Sequence, residues 1–295
     1  MRILVTGSDG QVGHELLKTL APLGEVTGTT RADGDLASPE IVDALLQRIQ
    51  PDVVVNPAAY TAVDQAETEE AAASALNAGF PERLARWADA NGALLVHYST
   101  DYVYAGDGEE PMAESEPAAP LSVYGKTKLA GDEAILAAAS SAIILRTSWV
   151  YGARGRNFML TMLKLAAERS ELNVVADQWG APTPAWLIAQ VTALVLHARL
   201  ADNREFRGIY HLTCRGETSW CGFAREIIRV AEERGVALKM GEQRVFPIAT
   251  SEYPAPAPRP RNSLLDVSNI EQALNIRLPD WKSALGVTLG DWQKD

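Results

Sequence analysis

Only two cysteines and four histidines occur in the 295 residues. Cys214 and Cys221 form no CxxC pair and have no histidines clustered beside them, so a disulfide framework and a zinc ribbon are both excluded. No apolar run approaches the roughly 18 residues that a membrane-spanning helix needs. Met1-Arg2-Ile3-Leu4-Val5 runs straight into a glycine-rich turn without an apolar leader, which points to a cytoplasmic protein. Basic residues are also scarce: 27 Lys and Arg stand against 38 Asp and Glu, for a net charge of -11. Such a surface repels nucleic acid and anionic membranes. A few placed arginines still leave room for a small anionic substrate.

What is present is a soluble composition, 47% hydrophobic and 22% charged. Apolar strands at Arg2 to Thr6, Glu25 to Thr30, Val53 to Asn56, Ala93 to Tyr98 and Ala142 to Leu145 alternate with helical stretches. These are Gln11 to Leu23, Ser38 to Gln50, Thr68 to Ala90 and Val123 to Ala139. Repeated β-α-β units with continuously apolar strands predict an α/β fold, a doubly wound parallel sheet of the Rossmann type. Beyond residue 150 the alternation weakens, and Pro247 to Pro260 cannot be regular helix. The expectation is a dinucleotide-binding domain over 1–150 and a smaller α/β substrate-binding lobe over 151–295, with some of its segments returning to the first domain.

Three motifs carry chemistry. Gly7-Ser8-Asp9-Gly10-Gln11-Val12-Gly13 follows a strand and opens a helix. Its glycines permit a tight turn and close approach of a pyrophosphate to a helix N-terminus, so it reads as a dinucleotide turn. At the tip of the second strand stands Thr30-Arg31 rather than an acid, which favours NADPH and leaves NADH usable. Tyr124 and Lys128 share a helical face at i and i+4, where an ammonium can draw a phenol toward acid–base work. This is the sole YxxxK spacing among the eight tyrosines. Ser99 and Thr100 end the fourth strand, where a hydroxyl can share a substrate carbonyl oxygen with Tyr124.

Together these features resemble the extended short-chain dehydrogenase/reductase superfamily. Finer matches resemble the dTDP-4-dehydrorhamnose reductase family: Gly10-Gln11-Val12-Gly13, Asn56-Pro57-Ala58-Ala59-Tyr60-Thr61-Ala62-Val63-Asp64, Ser99-Thr100-Asp101-Tyr102-Val103, Arg146-Thr147-Ser148-Trp149-Val150-Tyr151-Gly152 and Asp177-Gln178-Trp179-Gly180-Ala181-Pro182-Thr183. Tyr210-His211-Leu212 with Trp220, Arg259-Pro260-Arg261-Asn262-Ser263 and Trp281-Lys282-Ser283-Ala284-Leu285 extend the likeness through nearly the whole chain. The resemblance implies NADPH-dependent reduction of the C4 keto group of dTDP-4-dehydrorhamnose, the last step toward dTDP-L-rhamnose. Tyr124 would protonate the C4 oxygen, Thr100 would orient the carbonyl, and Lys128 would lower the phenol's pKa and hold the nicotinamide ribose. Asp101 and Trp149 would contact the sugar. Gly7, Gly10, Gln11 and Val12 would line the pyrophosphate, Asp35, Leu36, Ala58, Ala59, Tyr60 and Thr61 the adenine and ribose, and Tyr98 the nicotinamide. Arg259 and Arg261 would meet the diphosphate.

Some relatives dimerise through carboxylate-bound magnesium. Glu15 is present here, but Ala185-Trp186 puts an aromatic where that arrangement wants an acid, so no metal is expected, and the chain is read as a monomer or homodimer. The alternatives are another nucleotide-sugar epimerase, reductase or 4,6-dehydratase, or a non-catalytic dinucleotide-binding subunit. Tyr102 stands where related dehydratases place an acid, and Thr100, Tyr124 and Lys128 weigh against a purely binding role.

Overall fold

A computed structural model describes residues 1–200 and 205–292. The chain begins with β1 (Arg2–Val5), α1 (Gln11–Leu20), β2 (Glu25–Gly28), α2 (Pro39–Ile49) and β3 (Val53–Asn56). It continues with α3 (Phe80–Asn91), β4 (Leu94–Thr100), α4 (Val123–Ala138) and β5 (Ile143–Thr147). The second half adds α5 (Phe158–Glu168), α6 (Ala185–Leu200), β6 (Gly208–His211), α7 (Trp220–Glu233) and α8 (Trp281–Asp291), with short strand pairs between them. The six strands form one parallel sheet in the order β6-β5-β4-β3-β1-β2.

Side chains alternate across this sheet, and both faces are covered. Ile3, Val5, Val55, Val96 and Leu145 pack with Leu16 and Leu20 of α1 and with Leu187, Val191 and Val195 of α6. Leu4, Val54, Leu95 and Ile144 face the opposite way, against Val42 and Leu46 of α2, Leu84 and Ala88 of α3 and Ile135 of α4. The first layer continues without a break into the second half of the chain, through Met159, Phe223, Ile227 and Leu285.

Three local features depart from the pattern in the sequence. The stretch from Thr68 to Ala90 is not one helix: Glu70–Ser74 is followed by a π-turn at Ala75–Gly79 before α3 begins. The fourth strand, expected from its apolar run to stop at Tyr98, runs on through Thr100, which keeps Ser99 and Thr100 at its end. The sixth strand comes from residues 208–211, beyond the weakening of the alternation.

The chain crosses from β2 at one edge to β3 on the other side of β1, so the winding direction reverses at β1. In open parallel sheets the ligand crevice lies at this switch point, beyond the carboxyl ends of the strands. The glycine turn after β1 and the segment 57–62 after β3 both open onto it.

Candidate active site

At the end of β1 the backbone turns through Gly7, whose φ of +55° is one that side chains rarely adopt. A Cβ at Gly13 would sit 2.2 Å from the Gly7 carbonyl oxygen, so helix α1 presses directly on the turn. Gly10 caps α1 with no side-chain hydrogen bond and donates its own N–H to the Gly7 carbonyl at 3.0 Å. The remaining first-turn N–H groups of α1 thus face the crevice, which suits a pyrophosphate. Gln11 is fixed there by Asn157, whose Nδ2 donates to Gln11 Oε1 at 2.8 Å, while Val12 packs on the core.

The tip of β2 holds a small closed loop. Thr30 receives the Ala32 N–H on its hydroxyl, and Asp33 Oδ2 accepts from the Thr30 N–H at 2.8 Å and from Thr30 Oγ1 at 3.1 Å. Asp33 is therefore an acid near the strand tip, three residues later than the usual position, and these bonds hold its carboxyl below the ordinary range. Arg31 is exposed beside it. Asp35 accepts the Ala37 N–H at 2.9 Å, and Leu36 packs partly into the α2–α3 layer.

The segment from Ala58 to Thr61 is pinned by a residue that periodicity does not single out. Asn77, fully buried in the π-turn, accepts from the Tyr60 N–H at 2.9 Å and donates to the Tyr60 carbonyl at 3.2 Å and to Thr127 Oγ1 at 3.1 Å. It thereby joins the cofactor-side loop to α4, the helix that carries Tyr124 and Lys128. The Tyr60 hydroxyl donates outward to Glu69 Oε2 at 2.7 Å.

Thr100, Asp101, Tyr124 and Lys128 gather at the carboxyl end of β4. Ser122 caps α4 by accepting the Gly125 N–H, which sets Tyr124 in the first turn. The Tyr124 phenol lies beside the Thr100 side chain, close enough for that hydroxyl to act on its acidity, and its ring meets Tyr102 edge to face at 5.6 Å. Burial holds this phenol above its usual range; the Thr100 hydroxyl pulls it back, and the Asp101 and Asp132 carboxylates add to the rise. Tyr124 is thus a protonated phenol at neutral pH. Lys128 is 1% exposed and gives two of its protons' directions to the strand behind it: Nζ lies 2.7 Å from the Tyr98 carbonyl and 3.0 Å from His97 Nε2. Burial pulls its pKa from 10.5 down to about 8, with Asp132 opposing.

Thr100 Oγ1 donates to Asp101 Oδ1 at 3.0 Å, and Asp101 Oδ2 is buried with no partner among the described residues. Burial pushes this carboxyl up to about 7, against hydrogen bonds from Ser263 and Thr100. Ser99 points to the other face and donates to Asp132 Oδ2, which also accepts Arg146 Nε at 3.0 Å. Of the two strand-end hydroxyls, Thr100 alone adjoins Tyr124. Tyr98 donates its hydroxyl to Thr192 Oγ1 of α6 at 2.7 Å, because that threonine's own proton goes to the Ile188 carbonyl.

Trp149 sits at φ +48° and stacks on Trp220 at 3.5 Å with the planes 11° apart. Gly180 leaves room for the ring: a Cβ there would come within 2.6 Å of it. Arg259 is committed elsewhere than the sequence implies, since Nη2 donates to Asp64 Oδ2 at 2.9 Å and Nη1 to the Ala257 carbonyl. Arg261 is exposed. Among the described residues no three His, Cys, Asp or Glu side chains converge as a metal site requires, and no helix is long and apolar enough to cross a membrane.

The profile of the RmlD substrate binding domain family matches residues 1–293. The chain belongs to this family. The dTDP-4-dehydrorhamnose reductase of Burkholderia thailandensis is 45% identical over 296 residues, covering 99% of each chain. A crystal structure of a dTDP-4-dehydrorhamnose reductase from Clostridium acetobutylicum superposes with a TM-score of 0.90 at 36% identity over all of both chains. That of the Bacillus anthracis dTDP-4-dehydrorhamnose reductase in complex with NADP gives 0.89 at 33% identity, over 98% of this chain and 99% of the other. Within this RmlD-family chain, the residues that motif reading passes over are His97, Asn77 and Asn157. Each is a buried or half-buried polar side chain with at least one partner in a distant segment.

Proposed function

We propose that this protein reduces the C4 keto group of dTDP-4-dehydrorhamnose with NADPH, giving dTDP-L-rhamnose. The observation that carries the reading is the convergence of Thr100, protonated Tyr124 and buried Lys128 beside an uncapped α1 N-terminus and a glycine turn. The similarity to named reductases over nearly the whole chain supplies the substrate.

The glycine turn and the first turn of α1 would hold the cofactor's pyrophosphate, with Gln11 and Val12 beside it, and the 58–61 segment with Asp35 and Leu36 would hold the adenosine end. The bound reduced nicotinamide supplies the hydride that C4 accepts. Tyr124 gives its hydroxyl proton to the C4 oxygen as negative charge develops there, and the alkoxide is a stronger base than the phenolate left behind. Thr100 directs a hydroxyl at the same oxygen and fixes the carbonyl. Lys128, one helical turn from Tyr124 and held by His97 and the Tyr98 carbonyl, has an N–H left for a ribose hydroxyl. Asp101 and the Trp149 face grip the sugar. Arg31 accommodates the 2′-phosphate, and the Asp33 carboxylate, held by the Thr30 N–H and hydroxyl, is turned to its own loop rather than to a ribose hydroxyl.

The division into a dinucleotide-binding part (1–150) and a substrate part (151–295) belongs to the same proposal, with β6 and α6 as the returning segments.

The test is loss of absorbance at the nicotinamide band when protein, NADPH and freshly generated dTDP-4-dehydrorhamnose are mixed. Consumption that requires the keto sugar and is faster with NADPH than NADH is expected. Stoichiometric NAD on the purified chain with interconversion of sugar epimers would replace this reading with an epimerase.

A further inference from the structure

His97 lies wholly inside the protein, on β4, with both ring nitrogens engaged. Nε2 meets Lys128 Nζ at 3.0 Å and Nδ1 meets the Asn56 side-chain amide at 3.0 Å. Asn56, itself 0% exposed at the end of β3, is joined at 2.6 Å to the Thr6 hydroxyl at the end of β1. Thr6, Asn56, His97 and Lys128 thus form an unbroken buried line across three adjacent strands into the catalytic helix. None of the first three is needed to close the sheet, whose neighbouring positions are aliphatic, and burying four polar side chains in a row is costly unless each is satisfied.

The proton count along this line has two solutions. An ammonium on Lys128 must donate to Nε2, so the imidazole proton sits on Nδ1 and needs the Asn56 oxygen as acceptor; the Asn56 amide nitrogen then donates to Thr6. An uncharged amine, which has a lone pair to offer, also admits the reverse of every step. Thr6 donates to the Asn56 oxygen, the Asn56 nitrogen donates to Nδ1, and Nε2–H donates to the Nζ lone pair. The two patterns differ by a half-turn of one amide and a change of imidazole tautomer, with heavy atoms in nearly the same places. Neither requires a charged imidazole, and burial together with the Lys128 charge keeps His97 well below its ordinary range.

We propose that His97 is a positioning residue for Lys128: its Nε2 holds the Lys128 head group in place, and the Asn56–Thr6 pair behind it switches between two hydrogen-bond patterns matched to the two charge states of that lysine. This rests on the reductase reading for its kinetic consequence, although not for the hydrogen-bond line itself. The other groups that act here are Asp132 on the same helix, itself held by Ser99 and Arg146, Tyr124 one turn earlier, and the Tyr98 carbonyl. Because Lys128 sits near pH 8, the switch falls inside an accessible range.

The experiment has a spectroscopic arm and a kinetic arm. In the cofactor-free protein labelled with 15N-histidine, and with His97 assigned by comparison with His97→Gln, its proton moves from Nδ1 to Nε2 as pH rises through about 8. A single tautomer across the range, or an imidazole that gains a charge near its ordinary value, overturns the proposal. In the kinetic arm, His97→Gln places an amide where Nε2 stood and still reaches Lys128, whereas His97→Asn replaces only the Nδ1 side. We expect His97→Asn to lower kcat/KM about 10-fold at neutral pH and to move the alkaline fall in activity about one pH unit acidward, as loss of an acceptor for an ammonium requires. His97→Gln restores most of both. Equal profiles for wild type, His97→Gln and His97→Asn overturn the proposal. If wild type does not reduce the keto sugar, the reductase reading fails and the tautomer measurement still decides this one.

Discussion

Tyr124, Thr100 and Asp101 carry the chemistry proposed for this site. Replacing Tyr124 with Phe removes only the proton donor, so kcat is expected to fall about 10²- to 10⁴-fold while NADPH affinity, measured by fluorescence titration, stays close to wild type. A parallel loss of cofactor binding would mean that the ring, not the hydroxyl, was the working part. Asp101 gives a pH signature. Its carboxyl is raised from 3.8 to about 7 on folding, so across that interval the folded chain holds a proton that the unfolded chain has lost. Stability therefore declines as pH rises from about 4 to about 7, and Asp101→Asn removes the decline. The variant should match wild type in thermal unfolding near pH 4 and exceed it by on the order of 1–3 kcal/mol at pH 8. A gain of equal size at both pH values would contradict the assignment. The Tyr124–Lys128 spacing and the strand-end Thr100 were legible from sequence because helix and strand periods place them. The state of the phenol was not: Lys128 faces His97 and the Tyr98 carbonyl, so burial, rather than the ammonium, dominates Tyr124.

At the scale of elements, the glycine turn and α1 behave as one part. Gly13→Ala has no escape, because the atom in its way is the Gly7 backbone carbonyl at 2.2 Å. Loss of NADPH binding is expected, with destabilisation of more than about 2 kcal/mol in urea unfolding. Gly286→Ala in α8 meets nothing within 4 Å and should be neutral or gain about 0.5–1 kcal/mol, which makes it the control. The strands and helices of the first half follow from apolar runs and caps in the sequence. The break at Ala75–Gly79 does not, since alanine-rich composition favours continuous helix and Asn77 finds its partners only when Tyr60 and Thr127 are already in place. Likewise Gly208–His211 is too short and too mixed to announce a sheet strand; it is recruited by pairing with β5.

The whole molecule is tied together by polar contacts between segments far apart in the chain. Arg146 holds Asp132 at 3.0 Å and donates to the Tyr104 hydroxyl, which passes its proton to His211 Nε2 at 2.7 Å. On the other side of the crevice, Asp64 and Arg259 join the 57–64 segment to the proline-rich loop. Both ends of that pair are partly exposed, Arg259 at 23% and Asp64 at 46%, so its contribution to stability is small, about 0–1 kcal/mol. Its value lies in placing the loop. Asp64→Ala and Arg259→Ala should raise KM for the nucleotide sugar equally, and the double variant no further. A larger effect of Arg259→Ala alone would return that arginine to the diphosphate. These ties were invisible in the sequence because nothing local distinguishes a clamping arginine from a ligand-binding one. Direct hydride transfer from the cofactor to C4 of the keto sugar is read by mass spectrometry of the product formed with NADPH deuterated at the transferring position of the nicotinamide. One deuterium on C4 of dTDP-L-rhamnose is expected, with product formation collapsing in Tyr124→Phe. Product without the label, or full turnover by the variant, would contradict it.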